Sequence, residues 1–145
     1  MTSFGYTEPG EYEVTLTDDE FARPMLIDSG STFTYLDADI VGVLAKAFNA
    51  WIDDRGVYFV DCDLRYEDGY VNFGFNRRNM VIDVSYSDFI VEFDTHCALG
   101  VQPADDGVST WVLGNSFIRA AYSKLREAQG SWERSDAETI YISRL

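Results

Sequence analysis

The stretch GYVNFGFNRRNMVIDV, Gly69 to Val84, most constrains this chain. Val71, Phe73 and Phe75 alternate with smaller or polar residues, and so do Met80, Ile82 and Val84. A period of two places each apolar set on one face of a strand. The polar run Asn76 to Asn79 lies between them, so the pair reads as a hairpin. Other short runs read as strands too: Glu11 to Thr17, the GVYFVDCDL run from Gly56 to about Cys62, Tyr86 to Phe93, and His96 to Pro103. The expectation is a mainly β domain.

Only one stretch competes with that reading. Leu36 to Ile52 carries Ile40, Val43, Leu44, Ala47, Phe48 and Trp51 at helical spacing, with Asp37 as N-cap and Asp39 favouring the dipole. That stripe predicts one amphipathic helix packed on the core. A second, short helix is expected after the apolar strand Trp111–Leu113 and Gly114, with Asn115 as its N-cap. The polar run Ser123 to Ser135 reads as an insert, and residues 139–143 as a final strand. The loop 104–110 separates the last strands.

The chain of 145 residues is one domain long, and 46% apolar content suffices for a packed core. Its 25 acidic against 11 basic residues give a net charge of −14. Such a surface repels nucleic acid and anionic membranes, so neither is an expected partner. The most apolar stretch, Ile40 to Ile52, contains Lys46 and Asn49 and is too short for a membrane segment. Residues 1–13 have neither the basic start nor the apolar run of a signal peptide. Cys62 and Cys97 are read either as a disulfide or as two free buried thiols.

Metal chemistry finds little footing. His96 is the sole histidine, and its neighbour Cys97 falls on the opposite face of a strand. The absence of Cys or His pairs at ligand spacing predicts no metal site and no cofactor. A serine triad lacks its Gly-x-Ser-x-Gly elbow. What remains is MLIDSGST, in which Asp28 ends an apolar strand that reads as buried. Ser29, Gly30 and Ser31 then offer hydroxyls and backbone N–H groups that can hold a carboxylate ionised. Taken alone, Asp-Ser-Gly reads first as a common solvated turn.

The wider pattern adds to that. Leu26-Ile27-Asp28-Ser29-Gly30-Ser31, followed by a helix and then by Val112-Leu113-Gly114, resembles the C-terminal lobe of the pepsin-like aspartic proteases. The series from Cys62 through the hairpin to Cys97 and on to Tyr122 resembles the fungal, secreted branch. The similarity runs from about Arg23 to Tyr122. It implies a fold that is a single lobe of a pepsin-like β-barrel, here as a partial lobe within residues 1–145. It implies that Asp28 is one of two catalytic aspartates and that Cys62 and Cys97 form a disulfide. Ser29 would lock two active-site loops together, and Gly30 and Ser31 would hydrogen-bond Asp28. Thr32 would border the substrate cleft, while Val112, Leu113 and Gly114 would support the loop. The implied substrate is a peptide or protein, and the implied location is secreted or vacuolar.

A complete member of that family has two lobes, each with its own aspartate loop. This chain contains one. The expected partner is therefore a missing N-terminal lobe or a second copy in a homodimer. The competing expectations are a catalytically inactive lobe that binds peptides or inhibitors, and a fragment with no function of its own.

Overall fold

The structure, a computed structural model, describes residues 1–18, 20–105 and 111–129. Residues 106–110 of the expected loop, residues 130–135 of the expected insert and the expected strand 139–143 lie outside the described residues.

The chain opens with β1 (Ser3–Thr7) and β2 (Glu13–Thr15), then β3 (Met25–Ile27) and β4 (Thr34–Leu36). Helix α1 (Ala38–Ala47) follows, then β5 (Trp51–Ile52) and β6 (Tyr58–Val60). A 3₁₀ turn at Cys62–Tyr66 leads to β7 (Tyr70–Phe75) and β8 (Met80–Ser85). The rest is α2 (Tyr86–Phe89), β9 (Val91–Phe93), β10 (His96–Ala98), β11 (Val101–Pro103), β12 (Trp111–Leu113) and α3 (Asn115–Gln129). Among the described residues the strands form three open four-stranded sheets, in the orders β2-β1-β7-β8, β5-β6-β10-β9 and β11-β4-β12-β3, rather than one closed barrel.

The expected hairpin is present, with Phe73 opposite Ile82 and Val71 opposite Val84. Its turn is left-handed over three residues, with φ of 48°, 51° and 66° at Asn76, Arg77 and Arg78. Arginine is strained there. Arg78 is held by bonds to Glu13 and to the Thr15 hydroxyl on β2. β1 was not expected as a strand. It is the inner partner of β7 and is buried at Ser3, Phe4 and Gly5, so it lacks the half-exposed alternation that marks an outer strand.

Helix α1 starts where expected: Asp37 accepts from the Asp39 N–H. It ends earlier, at Ala47 with Phe48 as C-cap, and Asn49 follows with a left-handed φ of 50° that suits asparagine. The buried stripe is rotated from the expected one. Val41, Leu44, Ala45 and Phe48 are buried, whereas Val43 is 54% and Trp51 51% exposed. Ile40, Val41, Val43 and Leu44 form a nearly continuous apolar run, so spacing alone does not choose the face. Phe48 packs edge-on against Tyr6 and Tyr86.

Two further corrections concern helices. Tyr86–Phe89 is a helical turn rather than strand, capped by Ser85, whose hydroxyl accepts from the Asp88 N–H. Helix α3 is long rather than short. It continues through Ser123 to Gln129, so the first half of the expected insert is the end of this helix. Phe117 on α3 lies 4.8 Å from Phe73, and Phe73 lies 5.0 Å from Phe4. This aromatic column joins α3 to the hairpin sheet.

Cys62 and Cys97 form a disulfide across 35 residues of sequence, tying the 3₁₀ turn to β10. His96 is exposed and Cys97 buried, on opposite faces as expected. No described helix is long and apolar enough to cross a membrane.

Candidate active site

β3 and β4 are adjacent in sequence but not in the sheet. β12 enters between them, parallel to β3 through Val112 and Leu26 and antiparallel to β4 through Val112 and Tyr35. The segment linking β3 to β4 must therefore arch over the end of β12. That arch is Asp28 to Phe33.

The arch is hydrogen-bonded at nearly every step. The Asp28 N–H donates to Leu113 O at 3.1 Å, extending the ladder one residue beyond β3. The Ser31 N–H donates to Asp28 O at 3.2 Å and closes a tight turn. Gly114 N–H donates to the Thr34 hydroxyl. The first N–H groups of α3, at Asn115 and Ser116, donate to Ser31 O at 2.8 Å and Thr32 O at 3.1 Å. Helix termini carry such unsatisfied donors, and here the arch satisfies them. Asn115 is not the N-cap expected of it. It is the first residue of α3, and its side-chain Nδ2 instead donates to Ser29 O at 3.1 Å.

The carboxylate of Asp28 is held on both oxygens. Oδ1 accepts from the Gly30 N–H at 2.9 Å, and Oδ2 accepts from the Ser31 hydroxyl at 2.7 Å. The Ser31 bond, and then the Gly30 bond, hold the Asp28 carboxyl below the ordinary aspartate range. A hydroxyl and an amide that both donate can only favour the charged form.

One expectation fails here in an informative way. The strand before Asp28 is not buried. Leu26 is 47% and Ile27 36% exposed, and Ser29, Gly30 and Thr32 are exposed too. β3 is the edge of its sheet, paired to β12 on one side among the described residues. Two large apolar side chains beside a structured carboxylate lie open on that edge.

Of the residues picked from sequence, Asp28, Ser29, Gly30, Ser31, Thr32, Val112, Leu113 and Gly114 all meet at this arch. Cys97 lies on β10 of another sheet, bonded to Cys62 in the 3₁₀ turn. Sequence reasoning missed Thr34 and Ser116, whose buried hydroxyls bond each other below the arch at 3.1 Å. The available signal was a hydroxyl residue inside an apolar strand and another one position into a helix.

Next to the arch, Phe33, Trp51, Val57, Phe59 and Phe93 line an open cavity of about 690 Å³, with Asp53, Arg55 and His96 at its polar margin. Asp53 and Arg55 form an ion pair, so the margin brings little net charge from these two. Among the described residues no three His, Cys, Asp or Glu side chains converge as a metal-ligand group.

Comparison with known proteins gives a consistent result. The family described as "Eukaryotic aspartyl protease" matches residues 10–130. "Aspartic proteinase 3" of Saccharomyces cerevisiae is 33% identical over 123 residues, covering 84% of this chain and 21% of that protein. "Barrierpepsin" of the same yeast is 31% identical over 131 residues, covering 83% and 22% respectively. "Candidapepsin-2" of Candida parapsilosis is 32% identical over 104 residues, covering 68% and 25%. The crystal structure of an aspartic proteinase from Irpex lacteus aligns with a TM-score of 0.52 at 13% identity, over 81% of this chain and 36% of that one. At that identity the likeness concerns the fold. The chain spans about a quarter or less of the length of these three curated relatives.

Proposed function

The chain belongs to the eukaryotic aspartyl protease family, and from that premise we propose that it forms one lobe of an aspartic endopeptidase, with Asp28 as one of two carboxylates that activate a water. The observation that carries this reading is the Asp28 carboxylate, fixed on both oxygens by Ser31 and Gly30 at the open edge of a sheet.

In the proposed reaction a second aspartate faces Asp28 with one proton shared between them, because two like charges so close resist full ionisation. The ionised carboxylate takes a proton from the bound water. The protonated carboxyl gives its proton to the peptide carbonyl oxygen as the water oxygen attacks the carbon, so the C=O π bond becomes a C–OH. Collapse of the tetrahedral diol moves a proton to the leaving amine and breaks the C–N bond.

Asp28 alone does not supply this chemistry. Its bonds favour the ionised form; a second carboxylate is what raises the affinity of the pair for a proton. The second lobe comes from a longer chain or from another copy of this one, docked along the β3 edge, where Leu26 and Ile27 are exposed. Ser29, exposed beside Asp28, would tie the two loops together, and Thr32 would border the cleft. The aromatic cavity beginning at Phe33 suits a bulky apolar side chain of a peptide or protein substrate. The disulfide fits a secreted or vacuolar location, since such bonds persist in oxidising compartments.

A second reading is a catalytically inactive lobe that binds peptides or inhibitors. The observation that favours it is that, among the described residues, the Asp28 carboxylate is bonded by Gly30 and Ser31 and by no second carboxyl. The test is cleavage of denatured globin near pH 4, around the ordinary aspartate pKa, by the full chain over a range of concentrations, with and without pepstatin. Pepstatin-sensitive cleavage that vanishes in Asp28→Asn supports the endopeptidase. Cleavage that survives in Asp28→Asn overturns it. A folded chain that binds pepstatin but cleaves nothing at any concentration favours the second reading.

A further inference from the structure

Beneath the Asp28 arch two hydroxyls are fully enclosed, and the chemistry above does not use them. Thr34 and Ser116 are both 0% exposed. Their bonds form a chain whose direction can be worked out. Ser116 Oγ lies 2.6 Å from Gly100 O, a carbonyl that can only accept, so the Ser116 proton points there. With its proton committed, Ser116 Oγ accepts from Thr34 Oγ1 at 3.1 Å and from the Thr34 N–H at 3.1 Å. Thr34 Oγ1, having donated to Ser116, accepts from the Gly114 N–H at 3.3 Å. The relay runs from Gly114 through Thr34 and Ser116 to Gly100. Each hydroxyl gives its one proton and receives at least one.

The relay joins the strand that follows the arch, the start of α3, and the turn between β10 and β11. Between Ser31 and Thr34 the arch has little freedom left. The Ser31 and Thr32 carbonyls are bonded by Asn115 and Ser116, and the Phe33 carbonyl lies against Gly114. The position of the Ser31 hydroxyl is thus set by residues 114–116, and Ser116 is anchored in turn by Thr34 and Gly100.

We propose that Thr34 and Ser116 are positioning residues for Asp28, their hydroxyl relay fixing the arch in the one placement that brings the Ser31 hydroxyl onto the carboxylate. This rests on the reading of Asp28 as a catalytic carboxylate. Removing the Thr34 hydroxyl leaves the Gly114 N–H without its acceptor in a dry interior, and removing that of Ser116 takes one of two donors from the Gly100 carbonyl, which keeps the Thr34 N–H at 2.9 Å. The arch then has reason to shift toward water, and the 2.7 Å contact from Ser31 to Asp28 lengthens.

The test is carboxyl ¹³C NMR titration of the full chain. Asp53 serves as an internal control, because its carboxyl is also held below the ordinary range, by the Val57 and Arg55 bonds in another sheet. In Thr34→Val and in Ser116→Ala the Asp28 midpoint is expected to rise by about half a pH unit or more, with Asp53 unmoved. Thr34→Ser keeps the hydroxyl and is expected to keep the parent midpoint. An Asp28 midpoint unchanged in both hydroxyl-free variants overturns the proposal, and so does a rise shared equally by Asp53, which would mark general loosening. Where a variant does not fold, amide exchange in the parent chain decides: the Gly114, Thr34 and Ser116 amides are expected to open together, and a Gly114 amide exchanging freely while the other two stay protected overturns the proposal. The titration does not depend on cleavage, so failure of the endopeptidase reading and failure of this one are separate results.

Discussion

Gly114 and Phe33 meet backbone to backbone: a β-carbon at position 114 would lie 2.1 Å from the Phe33 carbonyl oxygen and 2.8 Å from that of Ser31. Neither atom is the end of a flexible side chain. Gly114→Ala is therefore expected to displace the arch and to cost about 2 kcal/mol or more. Urea unfolding measures it; a loss below about 0.5 kcal/mol would mean that the arch yields freely.

Ser31 is the largest cause of the lowered Asp28 pKa. Ser31→Ala is expected to raise the Asp28 midpoint toward about 3.9, the ordinary aspartate value, with Gly30 keeping part of the depression. The sign for stability follows from the folded carboxyl holding its proton less tightly than the unfolded one. The contribution is complete above the ordinary range and is lost as pH falls through the lowered value. Unfolding curves at about pH 5 and about pH 2 should differ less in Ser31→Ala than in the parent chain. An unmoved midpoint would show that the hydroxyl does not hold Asp28 in solution.

The disulfide closes a loop of 35 residues. Loop entropy of that size corresponds to about 3–4 kcal/mol. The double variant Cys62→Ala with Cys97→Ala is expected to lose that much in a denaturant titration. A loss below about 1 kcal/mol would mean that the unfolded chain is already compact there.

Leu44 and Val43 are sequence neighbours on different faces of α1. Leu44 is 0% and Val43 54% exposed. Leu44→Ala is expected to cost about 2–5 kcal/mol, and Val43→Ala less than about 0.5 kcal/mol. Comparable losses would mean that the helix is rotated from the placement described.

Leu26→Lys changes a side chain that is 47% exposed. Thermal stability of the lone chain is expected to stay within about 0.5 kcal/mol of the parent. Pairing with a second lobe or copy along β3 is expected to be lost, as read by sedimentation across a concentration series. Self-association that persists in the variant would direct attention to another surface.

Sequence was most informative where one face of an element is wet and the other dry. The β7–β8 hairpin alternates because it is half-buried, and Asp37 caps α1 through a local side-chain bond. The arch from Asp28 to Ser31 was legible because its chemistry lies in four consecutive residues. Readings failed where burial depends on distant chain. β1 is an inner strand and shows no alternation. Leu26 and Ile27 look like core but lie on an edge strand that pairs with β12 alone among the described residues. Ser85 and Asp88 carried a capping signal for α2 that the apolar run around them obscured. The polar run Ser123 to Gln129 has a helix-favouring composition and continues α3, a length that the expected short helix did not include. Thr34 and Ser116 gain their meaning only when residues 82 positions apart come together.

The insertion of β12 between β3 and β4 has a consequence for the order in which a growing chain acquires its parts. Met25 pairs alongside Trp111, so this sheet cannot be completed until the later strand has left the ribosome. The arch's partners at Gly114, Asn115 and Ser116 emerge later still. A nascent chain therefore carries Asp28 in an unassembled loop until residues 111–116 have been made, and the Gly30 and Ser31 bonds to its carboxylate gain their framework only then.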